Sequence, residues 1–278
     1  MIAFASNSLL CRLALKQTSI DAASFTFIRI FSGAVVLWLV INTRRKLIVD
    51  GTASRLVKSK AGNWLSALAL FAYAAAFSFA YVDLSAGTGA LLLFGAVQAT
   101  MILWGFRKGE RLDAIQIAGF IVAVTGLVVL IFPGLTAPPL FGSILMVGAG
   151  VAWGIYSLRG KAGRDAIATT AGNFLRAVPF AAAISIIFFS RARLDPAGIF
   201  YAIVSGAITS GLGYVIWYSV LSGLKATSAA TVQLSVPVLA AAGGILLLGE
   251  PITLRYVLAS IAILGGIALV VLERNRAL

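Results

Sequence analysis

The sequence predicts an all-α integral membrane protein, with ten transmembrane helices arranged as two inverted five-helix repeats. Three observations predict it. The first is composition: of 278 residues, 60% are hydrophobic and only 11% charged, with a mean hydropathy of +1.01. A soluble domain is nearer a quarter charged, so this chain lacks the polar surface to cover a water-facing globule. The second is self-similarity: Gly109-Glu110 and Gly249-Glu250 stand 140 residues apart, each between two long apolar runs. At the same offset Ala86 matches Ala226, Ala90 matches Ala230, Ile121 matches Ile261 and Gly126 matches Gly266, the mark of internal duplication. The third is charge: the +13 excess lies in short basic bursts between apolar runs, the pattern of cytoplasmic loops rather than of a nucleic-acid surface. Alternation of the strand type over ten-residue blocks is absent, which argues against a barrel.

About 20 apolar residues are needed to cross the hydrocarbon of a bilayer. The first candidate span, Met1–Leu15, is short and carries Arg12. The second, Ala22–Ile41, contains Arg29 and is followed by a basic loop with Arg44, Arg45, Lys46, Arg55, Lys58 and Lys60. The third is Gly62–Tyr81, then a turn through Asp83, then the fourth, Ala86–Phe106, and the fifth, Ala114–Phe132. Pro133-Gly134 and Pro138-Pro139 stop helices and mark a connector between halves, so the repeats are 1–133 and 140–278. The second half reads as Leu140–Leu158, Ile167–Phe189, Gly198–Leu221, Thr227–Leu248 and Leu254–Leu272.

With both termini in the cytoplasm, the inner connections and the tail hold fifteen Lys and Arg. The outer connections hold four: Lys16, Arg191, Arg193 and Arg255. That asymmetry obeys the positive-inside rule. Five spans per half is odd, so the second half enters from the opposite face and the duplication is inverted, as in many secondary transporters.

The residue inventory narrows the chemistry. There is one cysteine, Cys11, so no internal disulfide forms, and there is no histidine. The nine acids sit mostly at span ends. A metal-dependent or histidine-based enzyme has almost nothing to work with, and no cofactor motif is present. The N-terminus shows no basic segment or cleavage site of a signal peptide.

Several motifs now point to a family. Ser85-Ala86-Gly87-Thr88-Gly89-Ala90 and Ala226-Thr227-Ser228-Ala229-Ala230 open the fourth and ninth spans, and the Gly-Glu pairs follow those spans. Trp153-Gly154 is followed by Lys161, and Phe27-Ile28-Arg29 has a twin in Phe174-Leu175-Arg176. In order and spacing the chain resembles the EamA-type branch of the drug/metabolite transporter superfamily over essentially its full length. The resemblance implies ten helices in two inverted repeats, a central cavity, and movement of small metabolites, often amino acids or their relatives, commonly outward. Two departures stand out: Phe4-Ala5 replaces the family's first tryptophan-glycine, and the fourth span has Val97-Gln98 where the ninth has Pro237-Val238.

The candidate substrate-binding residues are Asn7, Tyr73, Gln98, Trp153, Tyr156, Tyr214, Gln233 and Pro237. Gln98 and Gln233 lie near the middle of the fourth and ninth spans. A buried amide there faces either a wet cavity or a partner helix. Pro237 interrupts the ninth span and frees a carbonyl, which marks a site or only a kink; Pro179 reads as a kink. Trp153 with Tyr156, Tyr214 with Trp217 and Tyr218, and Tyr73 with Phe77 and Tyr81 share helix faces. Rings with polar tips suit a cavity for amphipathic molecules, whereas Tyr81 and Tyr218, near span ends, suit an interfacial belt. Asn7, between Ser6 and Ser8, belongs to a polar patch that faces the cavity in the family. Arg29 and Arg176, about two turns into their spans, either neutralise a substrate carboxylate or snorkel and cap carbonyls of a neighbouring helix, and their presence in both repeats favours the structural role. Glu110 and Glu250 read as helix-end carboxylates or paired gates, and Gly150 with Gly154 as a close helix crossing.

The partners are a lipid bilayer and a small-molecule substrate, with no nucleic acid. The reading is a secondary transporter acting by alternating access. A passive facilitator or channel of the same fold stays open, because no carboxylate lies well inside a span. A membrane enzyme or lipid-handling protein would need a polar catalytic cluster that the sequence lacks.

Overall fold

The computed structural model describes residues 1–47, 61–109, 113–132, 134, 137–160, 165–221 and 232–276. Among these the secondary structure is helical throughout. In chain order the helices are α1 (Ile2–Gln17), α2 (Ala22–Leu47), α3 (Trp64–Ala80), α4 (Ala86–Arg107), α5 (Ala114–Ile131), α6 (Leu140–Gly160) and α7 (Ala166–Ile187). A short 3₁₀ turn, Phe189–Arg191, leads to α8 (Pro196–Val204), which runs through a π-helical segment, Ser205–Leu212, into α9 (Gly213–Leu221). Then come α10 (Ser235–Leu248) and α11 (Leu254–Arg276). Among the described residues seven helical stretches are long and apolar enough to cross a membrane, and Trp64–Ala80 and Ser235–Leu248 are shorter apolar helices.

The few polar residues at helix ends explain where the spans begin. Asn63, Ser85, Asp113, Asp165 and Asp195 each accept a backbone N–H of the first turn, satisfying donors that hydrocarbon could not. Asp113 forms a reciprocal capping box with Gln116. At the other end of α4 and α10, Gly109 and Gly249 take φ of +88° and +62°. That left-handed backbone is open to glycine at no steric cost, which accounts for the glycine in each repeated Gly-Glu pair. Glu110, Lys161 and Pro133 lie outside the described residues.

Asp21, between α1 and α2, caps α2 by accepting from Ala23 and Ser24 and reaches across to the Arg193 backbone N–H at 2.9 Å. Burial by itself would raise its carboxyl pKa, but the hydrogen bonds from Ser24, Arg193 and Ala23 outweigh that and hold it below its ordinary value. A carboxyl depressed in the folded state adds stability above the unfolded pKa of about 4, lost as pH falls through the folded value. Thermal melts of the parent and Asp21→Ala are therefore expected to differ most above about pH 4 and to converge in more acid solution. A gap that stays constant or widens as pH falls would contradict this assignment.

The outside of the bundle is apolar, with Trp38, Phe106, Ile121, Phe132, Phe141, Ile186 and Leu246 exposed. The polar side chains Asn7, Arg29, Gln98, Gln116, Asn173, Thr209 and Ser210 are buried. That inversion is what a lipid solvent selects. The helices approach closely through small residues. A Cβ on Gly150 would stand 2.5 Å from the Leu93 carbonyl oxygen and 2.6 Å from Ala96 Cβ, and one on Gly154 2.9 Å from Thr100. The expected small-residue crossing therefore exists, between α6 and α4. Gly119 and Gly126 do the same for α5 against α11. Tyr81 is not in an interfacial belt. It is fully enclosed, packs on Phe77 at 4.7 Å and donates to the Ala86 carbonyl, because the turn after α3 folds back under the start of α4. The Tyr218 side chain lies outside the described residues.

Candidate functional site

Five helices meet around a small internal cavity. Its walls are Phe4 and Asn7 from α1, Tyr73 and Phe77 from α3, Leu93 and Phe94 from α4, Trp153 from α6 and Tyr214 from α9. The rings form a connected set. Tyr73 and Tyr214 each lie 4.9 Å from Trp153, and Phe4 meets Tyr214 at 5.8 Å and Trp153 at 6.2 Å. Trp217 packs on Phe4 from outside, and Phe174 backs Tyr214. The edge-to-face and tilted geometries are those that aromatic quadrupoles favour.

Asn7 supplies the polar centre. Its Oδ1 accepts from the Ser205 hydroxyl at 2.5 Å and from Thr209 at 3.2 Å, and its Nδ2 donates to the Tyr73 hydroxyl at 3.3 Å. Ser205 and Thr209 belong to the π-helical segment. That segment widens the helix by one residue per turn and aims both hydroxyls at α1, and such bulges recur at functional sites. Tyr73 also accepts from Arg29 Nη2 at 3.1 Å, and Arg29 Nε donates to Ser210 at 3.3 Å.

Of the sequence-predicted residues, Asn7, Tyr73, Trp153 and Tyr214 converge on this cavity. Tyr156 stands one layer behind, 5.5 Å from Trp153 and bonded by Asn173. Gln98 is buried in α4 but does not line the cavity. Gln233 is half-buried with its Oε1 unpartnered, and Pro237 sits in the first turn of α10, where a proline removes no intrahelical bond. Neither lines the cavity. Sequence reasoning missed Phe4, Leu93, Phe94 and the Ser205/Thr209 pair. The available signal was the Ser-Gly-Ala-Ile-Thr-Ser-Gly run at 205–211, a polar and glycine-rich stretch in the middle of a span.

The two predicted twins, Arg29 and Arg176, differ. Arg176 Nη1 donates to the carbonyls of Ala61 and Gly172, both at 2.9 Å, as expected of a structural arginine. Arg29 is 2% exposed and, among the described residues, bonds only to hydroxyls, lies over ring faces and leaves Nη1 without a partner.

The cavity walls present ring faces, one amide and two phenols around a space that holds about one water molecule, and the same groups suit an amphipathic organic molecule where such a cavity widens. Among the described residues no three His, Cys, Asp or Glu side chains come together as a metal site.

Known proteins agree with this architecture. Residues 140–272 match the EamA-like transporter family. A Pseudomonas aeruginosa protein, described only as uncharacterized, is 56% identical over 99% of this chain and 92% of its own length. An uncharacterized transporter of Bacillus subtilis is 24% identical over 87% of this chain and 85% of its own. A protein of Escherichia coli named as a probable amino-acid metabolite efflux pump is 27% identical over 66% of each chain. One solved crystal structure superimposes over 99% of this chain and 98% of its own with a TM-score of 0.64 at 19% identity, a likeness of fold. A multi-pass apolar helical bundle with these relatives belongs to the EamA-like transporter family, in the drug/metabolite transporter superfamily.

Proposed function

We propose that this chain is a secondary transporter that moves small organic metabolites, amino acids or related compounds, outward across a bacterial inner membrane by alternating access. One observation carries the proposal: a buried aromatic cavity with a polar centre forms where α1, α3 and α4 of the first half meet α6 and α9 of the second. A cavity that small suits an occluded conformation, to be opened on one side and then the other. The Escherichia coli relative's name supports the substrate class and the direction.

The packing supports an inverted repeat of 1–133 and 140–278. Exchange α1 with α6, α2 with α7, α3 with α8–α9, α4 with α10 and α5 with α11. The contact of α1 with α10 then becomes that of α6 with α4, and α3 with α6 becomes α8 with α1, while α2–α7 and α5–α11 map onto themselves; all are packed pairs. The positive-inside asymmetry supports a topology with both termini in the cytoplasm.

A passive facilitator of the same fold is a second reading, because among the described residues no carboxylate lines the cavity. Accumulation against a gradient separates the two.

Counterflow in proteoliposomes over a panel of amino acids tests the proposal. Trp153→Ala is expected to lower the rate for a transported member at least tenfold, since it removes the ring that joins Tyr73 to Tyr214. The melting temperature should move much less than the rate. Gln98→Ala, off the cavity, is expected to leave substrate affinity unchanged and to act on stability alone. No transport of any panel member would sink the proposal. So would a Trp153→Ala protein as fast as the parent.

A further inference from the structure

We infer that Arg29 is the docking point for the carboxylate of the substrate. The inference rests on the cavity being the transport site. Arg29 reaches from α2 to the hydroxyl of Tyr73, a cavity residue, and its guanidinium lies over the rings of Tyr73 at 5.3 Å and Phe77 at 4.8 Å, both in the cavity wall. It is 2% exposed. Among the described residues no carboxylate comes within 4 Å of it. Glu250, a buried acid, already gives one oxygen to Arg12 and the other to the Ala86 N–H.

A buried cation without an anion is strongly unfavourable, and folded proteins hold one only where something neutralises it. Here the surroundings do so partially. Two ring faces and two neutral hydroxyls, Tyr73 and Ser210, engage the group, and Nη1 has no partner. An arginine serving only architecture looks different. Arg176, its counterpart in the second half, closes on two backbone carbonyls. Arg29 does not itself line the cavity but stands directly behind its Tyr73 and Phe77 wall with one donor unpartnered, and the planar guanidinium fork matches a carboxylate with two parallel hydrogen bonds. The neighbouring rings of Phe4, Trp153 and Tyr214 would take the apolar body of the same ligand. The ligand class is thus a small organic molecule with one carboxylate at one end and an apolar or aromatic portion at the other.

The test uses the purified full chain and two matched pairs of probes. These are 3-phenylpropionate with 3-phenylpropanamide, and phenylalanine with phenylalaninamide; each amide keeps shape and loses the negative charge. Thermal shift and direct binding are measured for the parent, Arg29→Met and Arg29→Lys. The acids are expected to raise the parent's melting temperature and to bind at least tenfold tighter than their amides. Arg29→Met should melt at or above the parent, because an unpaired buried charge is gone, and should bind acid and amide alike. Arg29→Lys should keep part of the preference. Comparison of acid and amide on the parent needs no variant, so a poorly folding Arg29→Met leaves the test intact. Equal binding of acid and amide by the parent overturns the inference, as does a full acid preference in Arg29→Met or no binding of any of the four probes. If amino acids are still transported in proteoliposomes while these results fail, only the role of Arg29 falls. If nothing is transported, the transporter reading falls with it.

Discussion

Glu250→Ala is expected to destabilise the protein by about 3–5 kcal/mol, the cost of leaving one partner of a buried ion pair uncompensated. Glu250 is 7% exposed. Its Oε1 accepts from Arg12 Nε at 3.2 Å and its Oε2 from the Ala86 N–H at 2.8 Å, at the start of α4. Arg12 Nη1 in turn donates to the carbonyls of Tyr81 and Val82 at 2.9 and 2.8 Å. One carboxylate therefore ties together the end of α10, the C-terminal half of α1, the α3–α4 turn and the first turn of α4. The carboxylate also meets the positive end of the α4 dipole. These elements come from both halves of the chain, so the pair is placed to hold one face of the bundle shut. Cys11, fully buried beside Arg12 in the sequence, reports on that closure. The parent should resist a small thiol reagent, and Glu250→Ala should react. In the double variant Arg12→Met with Glu250→Leu no charge is stranded, and most of the lost melting temperature should return. If the pair is also a latch, Cys11 stays reactive in that double variant. A Glu250→Ala protein with the parent's melting temperature and an unreactive Cys11 would show that the contact holds nothing.

The sequence made many of the helices legible because they are bounded by residues with strong local preferences. Aspartates and asparagine start α3, α5, α7 and α8, and glycines with positive φ end α4 and α10. The cavity wall was half legible. Aromatic pairs at helical spacing located Tyr73, Trp153 and Tyr214, because a ring with a polar tip deep in a span has few uses besides a cavity or a packed core. Gln98 misled for a related reason: depth in a span marks a residue as buried and does not say which helix face it occupies. Leu93 and Phe94 occupy the cavity face of α4 and have no polar atom to announce it. Arg29 and Arg176 were indistinguishable as motifs, and what separates them is tertiary. Ala61 presents its carbonyl to one, and only hydroxyls and rings surround the other. The partnership of Glu250 with Arg12 spans 238 residues, beyond any pattern in local sequence.

The π-helical segment carries the other large expected effect. Gly206 lies in Ser205–Leu212, where α2 crosses it. A Cβ there would fall well inside contact distance of the Arg29 carbonyl oxygen and of the Ser32 hydroxyl. The first is backbone and cannot swing aside as a side-chain tip would. Gly206→Ala is therefore expected to push α2 and this segment apart, at about 1–3 kcal/mol or more for overpacking. Loss of packing matters more here than in water, because close van der Waals approach of small residues is a main source of helix association in lipid. The displacement also has a functional reading. Ser205 and Thr209, on the same segment, hold Asn7 in the cavity wall, and Ser210 holds Arg29. Moving the segment should loosen both polar groups together, so binding should weaken even in protein that survives purification. Gly148 and Gly265 provide the comparison, since a Cβ on either meets nothing within 4 Å. Alanine at those two positions should leave melting temperature and transport near the parent's. Equal tolerance of alanine at 206, 148 and 265 would mean that the α2 crossing is not close-packed, and that the segment does not position Asn7.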